Sequence, residues 1–291
     1  MQGFRLTVVP QSLSPIAREL LLRATGRVNY ERVQFWRHVG YVPNLKDPRT
    51  FNEKIAARKL FGNIPDASVM ADKVAVRDQV ARIVGDKYLN EALVIAEDVA
   101  DIDFEKLPES FAAKASHGSA MNLLVEDKSQ LDIPAVRRQL AGYLKQRYGR
   151  LMNERWYDSI TPRILVERYL KDERYGVPLD LKIYVYHGKA RMIRLIDRFG
   201  GLGRSFWDTN WTRLPLRFRT RPQGEDIERP KPLAELVEVA EALSGGLDYI
   251  RVDLYCVDDR DIIFGELTLA PGSGWSPFES REQDEYIGSF W

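Results

Sequence analysis

The sequence predicts an α+β fold, in which antiparallel hairpins are mixed with helices, and not a doubly wound parallel sheet. Several apolar runs come in pairs that are separated by turn residues, as expected of hairpins. Longer segments repeat their apolar residues near the helical spacing of about 3.6 residues. We find no internal repeat and no low-complexity segment in the chain.

The composition is that of an ordinary globular protein. The chain has 291 residues, of which 44% are hydrophobic and 29% charged, so it can bury a sizeable core. Its 43 basic and 42 acidic residues nearly balance, so no overall field favours nucleic acid or an acidic surface. The single cysteine, Cys256, cannot form an internal disulfide, and no Cys/His spacing indicates structural zinc.

The sequence also carries no sign of export or membrane insertion. Residues Met1 to Pro10 lack the long apolar region of a secretory signal. No stretch approaches the roughly 18 consecutive apolar residues of a membrane span. We therefore expect a cytoplasmic protein in a reducing compartment.

The first half of the chain is predicted to be mainly helical. The first helix carries interleaved arginines, so it could pack against the body of the protein or lie on a membrane surface. The second opens with a capping box formed by Thr50 and Glu53. Gly85 ends the third. The predicted helices lie at 14–39, 50–60, 72–84 and 133–151.

The predicted strands begin near the middle of the chain. Residues 110–116 and 123–126 flank a loop of small residues, and 164–170 forms an apolar strand before a polar loop. Residues 181–186 and 190–197 form a second hairpin. A helix at 233–243 precedes the last hairpin.

The C-terminal hairpin pairs two runs, 249–257 and 262–269. A symmetric loop centred between Asp259 and Arg260 fixes the register of the strands. It places four polar side chains on one face, ending in Tyr255 and Phe264: Asp253 lies opposite Glu266, and Arg251 opposite Thr268. The other face is the predicted core, with Ile250, Val252, Leu254 and Cys256 against Ile263, Gly265, Leu267 and Leu269.

The two opposed carboxylates of this hairpin have Cβ atoms only about 5 Å apart and repel each other. Arg251 could neutralise Asp253 on a solvated face. A divalent cation could instead hold both carboxylates, and magnesium prefers one or two of them together with phosphate oxygens. The flexible loop 270–274 would lie beside such a site.

Several motifs resemble a known family over about residues 41–291. Asp253 and Glu266 are 13 residues apart, as in ATP-grasp enzymes. The narrower resemblance is to the TupA-like ATP-grasp group of teichuronopeptide and polysaccharide biosynthesis. It involves the segments 51–55, 72–73, 180–182, 197–198 and 264–268. The usual third metal ligand is Asn, but this chain has Thr268, whose hydroxyl is a weaker ligand.

The resemblance implies ATP and Mg²⁺ as cofactors, with the nucleotide held between two subdomains. It divides the chain into an N-terminal helical region (1–105), a central subdomain (106–168) and a C-terminal subdomain (169–291). The implied nucleotide-binding residues are Lys73, Lys114, His117, Gly118, Ser119, Glu167, Tyr169, Leu170 and Asp180. The implied metal ligands are Asp253, Glu266 and Thr268, and the implied catalytic residues are Arg251, Lys182 and Arg198.

The chemistry of these residues is consistent with the roles that the resemblance implies, although several of them have a simpler explanation. Lys114 ends a strand before a small-residue loop whose backbone N–H groups could approach a phosphate. Lys73 could instead be a solvated helix residue. Glu167 lies inside an apolar strand and needs a partner, either a ligand or Arg168. Asp180 and Lys182 share a strand face, where they could orient substrate or pair with each other.

A basic segment from Arg191 to Pro222 suggests an acidic substrate. It holds eight arginines against Asp197 and Asp208, a local charge of +6. Arginine forks suit carboxylates and phosphates, and Trp207 and Trp211 could contact sugar rings. A uronic-acid polymer or its nucleotide- or lipid-linked precursor would fit, as would a solvated basic loop without a ligand. No nucleic-acid-binding motif is present.

By resemblance, the reaction would be carboxylate–amine ligation through an acyl phosphate, with release of ADP and phosphate. An amino acid or amine would be joined to a uronic-acid or other acidic acceptor in bacterial surface polysaccharide or teichuronopeptide biosynthesis. The protein could then make peripheral contact with a membrane-bound polysaccharide assembly complex. One alternative is a kinase that acts on a sugar or polyol hydroxyl. Another is a glycosyltransferase-like or nucleotide-binding accessory protein.

Overall fold

The computed structural model describes residues 14–196, 198 and 203–291. The sequence features at 1–10, Asp197 and 200–202 lie outside these residues. The helices are α1 (Pro15–Val39), α2 (Phe51–Phe61), α3 (Ala67–Ala71), α4 (Val76–Val84), α5 (Ile133–Leu144), α6 (Tyr148–Met152), α7 (Leu233–Leu243) and α8 (Arg281–Gly288). The strands are β1 (Ala92–Ala96), β2 (Phe111–Ala115), β3 (Asn122–Val125), β4 (Ile164–Arg168), β5 (Leu179–Tyr186), β6 (Lys189–Ile196), β7 (Arg204–Trp207), β8 (Arg213–Leu214), β9 (Tyr249–Val257) and β10 (Asp261–Thr268).

The strands form two antiparallel sheets. The smaller sheet has the order β1-β4-β2-β3, and the larger has the order β10-β9-β5-β6-β7-β8. All pairings between these strands are antiparallel. This arrangement confirms the predicted α+β class. The division of the chain at residues 105 and 168 stays a prediction.

Each sheet buries one face against a helix. Ile183 and Val252 of the larger sheet pack in one core with Leu236 and Ala240 of α7. In the smaller sheet, Phe111 and Val166 share a second core with residues of α5, among them Leu140. Because side chains alternate along a strand, the opposite faces of both sheets are left to form the walls of a cavity.

Helix α2 anchors the N-terminal region beside the larger sheet. Its predicted capping box is present, since Thr50 Oγ1 accepts from the Glu53 amide at 3.1 Å and Glu53 Oε2 accepts from the Thr50 amide at 3.2 Å. Phe51 and Ile55 pack with Tyr184 and Tyr249 of the sheet. Within the described residues, none of the helices has the length and hydropathy needed to cross a bilayer.

Two predicted helices differ from the structure. The helix expected at 72–84 begins only at Val76, because Asp72 Oδ1 accepts from the Val74 amide at 2.9 Å and forms a turn that competes with the helix. The helix expected at 133–151 is divided into α5 and α6. Strand β1 was not predicted, and it pairs with β4 at the edge of the smaller sheet.

The C-terminal hairpin has the predicted partners at its functional end and a different register near its turn. Glu266 pairs with Asp253, and Thr268 with Arg251. A bulge between Phe264 and Glu266 shifts the pairing by one residue on the side of the turn. The assignment of Ile263 and Gly265 to the core, and of Phe264 to the polar face, was therefore wrong. Core positions on β10 are held by Ile262, Phe264 and Leu267.

The two tryptophans assigned to a substrate loop belong to the core instead. Trp207 lies on β7, and its ring stacks on Trp211 with centroids 4.7 Å apart. Both rings are buried in the core of the larger sheet. Their indole N–H groups donate to Ser205 Oγ and to the Ile227 carbonyl, both at 2.9 Å. The proposed contact between these rings and a sugar was therefore wrong.

Candidate active site

A cavity of about 410 Å³ lies between the two sheets. The smaller sheet contributes Lys114, Leu165 and Glu167 to its wall. The larger sheet contributes strands β5, β9 and β10. Predicted site residues that line the cavity are Lys73, Lys114, Gly118, Ser119, Glu167, Lys182, Arg198, Arg251, Asp253, Glu266 and Thr268.

Arg251 is bound to both carboxylates of the hairpin. Its Nε donates to Asp253 Oδ1 at 2.6 Å, and its Nη2 donates to Asp253 Oδ2 at 2.7 Å and to Glu266 Oε1 at 3.2 Å. Arg251 is buried, which by itself would lower the pKa of the guanidinium, but Asp253 and Glu266 outweigh that effect and raise it. The sequence-based alternative, an arginine that neutralises Asp253, is thus part of the observed geometry.

Glu266 is held as a carboxylate by nearby cations. Burial would raise its pKa, but Lys73, Lys182 and Arg251 together lower it to about 2. Thr268 Oγ1 accepts from Arg251 Nη2 at 2.9 Å and donates to Glu266 Oε1 at 3.1 Å. The Thr268 hydroxyl therefore fixes the orientation of these two neighbours.

Lys182 extends this charge network along the sheet. Its Nζ lies 2.5 Å from Asp253 Oδ2 and 3.0 Å from Asp180 Oδ1. Arg198 Nη2 donates to the other oxygen of Asp180 at 2.6 Å. Burial would raise the pKa of Asp180, but Lys182 and Arg198 lower it. Asp180 is buried behind the cavity wall and pairs with Lys182. Pairing between these two residues was one of the two alternatives that the sequence left open.

On the opposite wall, Glu167 joins two cations. Lys114 Nζ donates to Glu167 Oε2 at 2.7 Å, and Arg77 Nη1 donates to Oε1 at 3.1 Å. The partners of this buried carboxylate are therefore not Arg168, which pairs with Glu91. The geometry leaves Lys114 facing the cavity from the smaller sheet while Glu167 fixes its position.

Lys73 closes one end of the cavity. Its Nζ donates to the Gly118 carbonyl at 2.5 Å. Burial lowers the pKa of this amino group, although Glu266 acts in the opposite direction. Lys73 is therefore not the solvated helix residue of the simpler alternative, since it binds the loop after β2 and lines the same cavity as Glu266.

The loop after β2 is shaped by Gly118. A Cβ at this position would lie 2.3 Å from Met121 Cε and 2.8 Å from Tyr148 Cβ, so only glycine fits. Ser119 lines the cavity beside it. His117 is buried and does not line the cavity. Its Nε2 donates to the Gln146 carbonyl at 3.2 Å, and burial lowers its pKa.

The predicted hinge contributes only one residue to the cavity wall. Glu167 lines the cavity, whereas Tyr169 and Leu170 do not. The Tyr169 hydroxyl donates to Glu126 Oε1 at 3.1 Å, at the outer end of the smaller sheet. A role for Tyr169 and Leu170 in nucleotide binding stays a prediction.

Several residues of the cavity wall were missed in the sequence. Arg77 follows Lys73 by four residues in the helix predicted at 72–84, and that spacing could have placed it on the same side as Lys73. Tyr148, Glu154 and Tyr157 come from short elements after α5, which no sequence signal marked. Burial raises the pKa of Glu154 to about 7 against the opposing effects of Lys59 and Ser273.

The donor set at the end of the hairpin fits a hard divalent cation. Among the described residues, no three or more His, Cys, Asp or Glu side chains form a group that could hold a metal ion by itself. Asp253 and Glu266 are paired across the hairpin and line the same cavity as Lys114. Two carboxylates suit Mg²⁺ when phosphate oxygens complete its coordination.

Comparison with solved structures finds distant ATP-grasp proteins. D-alanine–D-alanine ligase from Bacillus anthracis complexed with ATP is 17% identical over 69% of this chain and 54% of its own, with a TM-score of 0.40. N5-carboxyaminoimidazole synthetase from Staphylococcus aureus complexed with ADP is 11% identical over 69% and 45%, with a TM-score of 0.40. The ATP-grasp ligase PsnB with a precursor variant, Mg and ADP is 14% identical over 78% and 59%, with a TM-score of 0.42.

The family assignment comes from the sequence itself. The chain spans about half the length of the solved structures that it matches, and no curated protein matches it. The family model described as TupA-like ATPgrasp matches residues 53–291, which is most of the chain. The match includes the residues that line the cavity between the two sheets. The chain therefore belongs to the TupA-like ATP-grasp family.

Proposed function

We propose that this protein is an ATP-dependent ligase that activates a carboxylate through an acyl phosphate and joins it to an amine, with release of ADP and phosphate. Membership of the ATP-grasp family makes ATP and Mg²⁺ its cofactors. The observation that supports the proposal best is the cavity itself. Lysines from one side and the Arg251–Asp253–Glu266 group from the other converge on a space between two sheets.

The cations of the cavity would bind and orient the phosphates. Lys114, held by Glu167, and Lys73, held at the Gly118 carbonyl, supply positive charge from the side of the smaller sheet. The backbone of the loop at Gly118 and Ser119 can approach a phosphate closely. Asp180 would act from behind the wall, by positioning Lys182 and Arg198.

The hairpin residues would serve the reacting end of the nucleotide. Asp253 and Glu266 would hold Mg²⁺, which when bound neutralises charge on the transferring phosphoryl group. Thr268 would orient Glu266 and Arg251 and is not needed as a ligand. Arg251 would stabilise negative charge on the acyl phosphate or on the tetrahedral species that follows.

The role in the cell belongs to the same proposal. The resemblance drawn from the sequence motifs suggests teichuronopeptide or surface polysaccharide biosynthesis, and the basic segment around Arg194 and Arg204 suits an acidic acceptor. We propose that the acceptor is an acidic small molecule or saccharide, that the protein works in the cytoplasm, and that it contacts a membrane-bound assembly complex only peripherally.

The test is a product analysis with Mg–ATP and a panel of acids and amines, in which uronic acids are paired with amino acids. We expect ADP, free phosphate and an amide by mass spectrometry. Glu266→Gln should lower turnover at least a hundredfold, because it removes a magnesium ligand. Asp261→Asn is the matched control, since Asp261 lies on the same strand and its exposed side chain pairs with Arg260.

Two other outcomes would contradict the ligase. Phosphate that is retained on a hydroxyl of the acceptor, with no free phosphate, would identify a kinase. Equal binding of nucleotide without turnover in both the parent and Glu266→Gln would identify a nucleotide-binding accessory protein.

A further inference from the structure

A second cavity adjoins the candidate active site. It has a volume of about 320 Å³, and Gly272 lines both cavities. Three arginines line it, Arg194, Arg204 and Arg221. Among the described residues, no aspartate or glutamate lines it. The charged side chains that line it within the described residues are therefore all arginines, unlike the mixed charges of the first cavity.

The register of the larger sheet places both cavities on the same face. Lys182 pairs with Asp253 on one side and with Arg194 on the other. Side chains that are directly opposite in neighbouring strands project from one face. Since strands are about 4.8 Å apart, Arg194 and Asp253 are separated by about 10 Å across the sheet. Arg204 lies diagonally beside Arg194, opposite Ile196.

Of the carboxylates that the structure describes, none forms an ion pair with Arg194. Its Nε is buried and donates to no group in the part of the chain that the structure describes. Its guanidinium lies 5.5 Å from the centroid of the Phe218 ring. No ion pair within the described residues joins Arg194 or Arg221 to an acid.

The arginines are also close enough to affect one another. Burial lowers the pKa of Arg204, and the charges of Arg221 and Arg194 lower it further. Gathering like charges in a partly buried cavity costs free energy that an anion would offset. Arginine forks favour planar carboxylates and phosphates in particular.

Much of the remaining wall of the second cavity is aromatic. Trp275, Phe218, Phe278 and Tyr184 line it, and His38 stacks on Trp275 with ring centroids 5.4 Å apart. Rigid aromatic faces with a few placed charges are typical of a small-molecule site. The combination suits an oxyanion that is attached to a ring.

We propose that the second cavity is the acid-substrate subsite, in which Arg194, Arg204 and Arg221 bind a second oxyanion of the acid while its reacting carboxylate lies in the first cavity. The substrate then carries two anionic groups, one at each cavity, on a body that contains a ring. This assignment depends on the proposed function, because the acid is the compound that the ligase would activate. The bound oxyanion is a carboxylate or a phosphate.

Calorimetric titration tests the subsite with the nucleotide site filled by Mg–ADP. The probes are glucuronate, glucose 1-phosphate and uncharged glucose, so the two charged probes distinguish carboxylate from phosphate. We expect at least one charged probe to bind and glucose not to bind. Arg194→Gln and Arg221→Gln should each weaken binding about tenfold or more, because a hydrogen bond to a charged group is lost.

The matched control is Arg191→Gln. Arg191 lies on the same strand, is exposed and does not line the second cavity, so its substitution should leave the probe affinity unchanged. Because Arg221 is exposed, Arg221→Gln separates loss of binding from loss of folding. Equal binding of glucose, no binding of either anion, or equal affinities in Arg194→Gln and Arg191→Gln would overturn the subsite.

The same titration separates the two proposals. If the parent protein does not bind Mg–ADP, the proposed function fails, and with it the role of the acid as a ligase substrate. The anion titrations then still decide whether the second cavity binds oxyanions. If Mg–ADP binds normally and the anions do not, only the subsite fails.

Discussion

At the residue scale, the protein is organised around buried charges that hold one another. Arg251 contacts the carboxylates of Asp253 and Glu266, and Lys182 shares Asp253 with Arg251 and also contacts Asp180. Breaking a buried pair by removing one partner leaves an uncompensated charge and costs several kcal/mol. The site residues are therefore also structural residues. Kinetic effects of their substitution have to be compared with folding controls.

Glu154 is one of the buried carboxyl groups whose protonation should change stability near neutral pH, and burial also raises the pKa of Asp284, to about 6. The pKa of Glu154 is raised to about 7 by burial, so the neutral form is favoured in the folded state. Its contribution to stability is full below its ordinary pKa of 4.5 and is lost as the pH rises through about 7. The loss should approach about 3 kcal/mol of unfolding free energy.

Urea unfolding at pH 5 and pH 8 measures this effect. Glu154→Gln should be less dependent on pH than the parent over this range, because glutamine does not titrate. Glu238→Gln is the control, since Glu238 is exposed on α7 and should retain the pH dependence of the parent. The same pH dependence in the parent and in Glu154→Gln would contradict the prediction.

Much of the candidate site could be predicted at this scale. The position of the turn and the register of the two strands are enough to show that two carboxylates face each other. Asp253, Glu266 and Lys114 line one cavity, as expected. The pairing of Glu167 with Arg77 was missed, because it depends on how α4 packs against the smaller sheet. Trp207 and Trp211 were predicted to contact a ligand, although both are buried in the core, because the sequence does not show which face of a loop is buried.

At the element scale, the bulge in β10 decides which side chains face the cavity. A strand without it would keep the register of the turn and place Ile262 and Phe264 on the same face as Glu266. The bulge inserts one unpaired residue, Gly265. Phe264 before it can therefore face the core while Glu266 after it faces the cavity. The sequence indicated the two strands but not the bulge between them. The prediction assumed a symmetric loop and therefore one constant register along the whole hairpin.

Gly265→Ala tests the bulge. A Cβ there would lie 3.1 Å from the Asp253 carbonyl oxygen and 3.1 Å from Tyr255 Cε2. We expect the free energy of unfolding to fall by about 1 to 3 kcal/mol, as for other overpacked sites. Turnover should also fall, because the backbone of Asp253 has to move.

Chemical denaturation and Mg–ATP turnover measure the two effects. Gly142→Ala is the control within α5, where a Cβ would meet no atom within 4 Å. It should raise the stability by about 0.5 to 1 kcal/mol and leave turnover unchanged. A Gly265→Ala protein with the parent's stability and turnover would show that the bulge does not constrain the site.

At the scale of the whole molecule, the cavity between the two sheets is lined by charged side chains on both walls. Lys73 and Lys114 face Glu266 and Asp253 across it. A ligand that contacts both walls stabilises the folded state by mass action. Mg–ADP at a hundred times its dissociation constant should add about 2.7 kcal/mol to the free energy of unfolding.

Thermal unfolding with and without EDTA checks this prediction. Removing the metal should abolish most of the stabilisation by ADP, because Asp253 and Glu266 would then face the phosphates without a cation. Lys114→Met should reduce the effect, whereas Lys106→Met should not, since Lys106 is exposed and pairs with Asp103. Stabilisation by ADP that is unaffected by EDTA would place the nucleotide away from the hairpin.

The fold class was predictable at this scale and the contacts between its parts were not. Paired apolar runs identify hairpins locally. The position of Arg194 beside the candidate active site required the order of strands in the larger sheet, which joins β9 to β5 and β5 to β6. The pairing of β5 with β6 is a local hairpin that the sequence predicted, but the pairing of β9 with β5 joins distant segments, and a single sequence carries no local signal for it.

The lone cysteine gives the larger sheet a built-in reporter. Cys256 lies on the core face of β9, is fully buried, and has a thiol pKa that burial raises to about 12. The thiolate that reacts with alkylating reagents is therefore scarce in the native protein and becomes available when this sheet opens. Alkylation of the natural chain, followed over time, thus measures how often the larger sheet unfolds, without an engineered label and without interference from the smaller sheet.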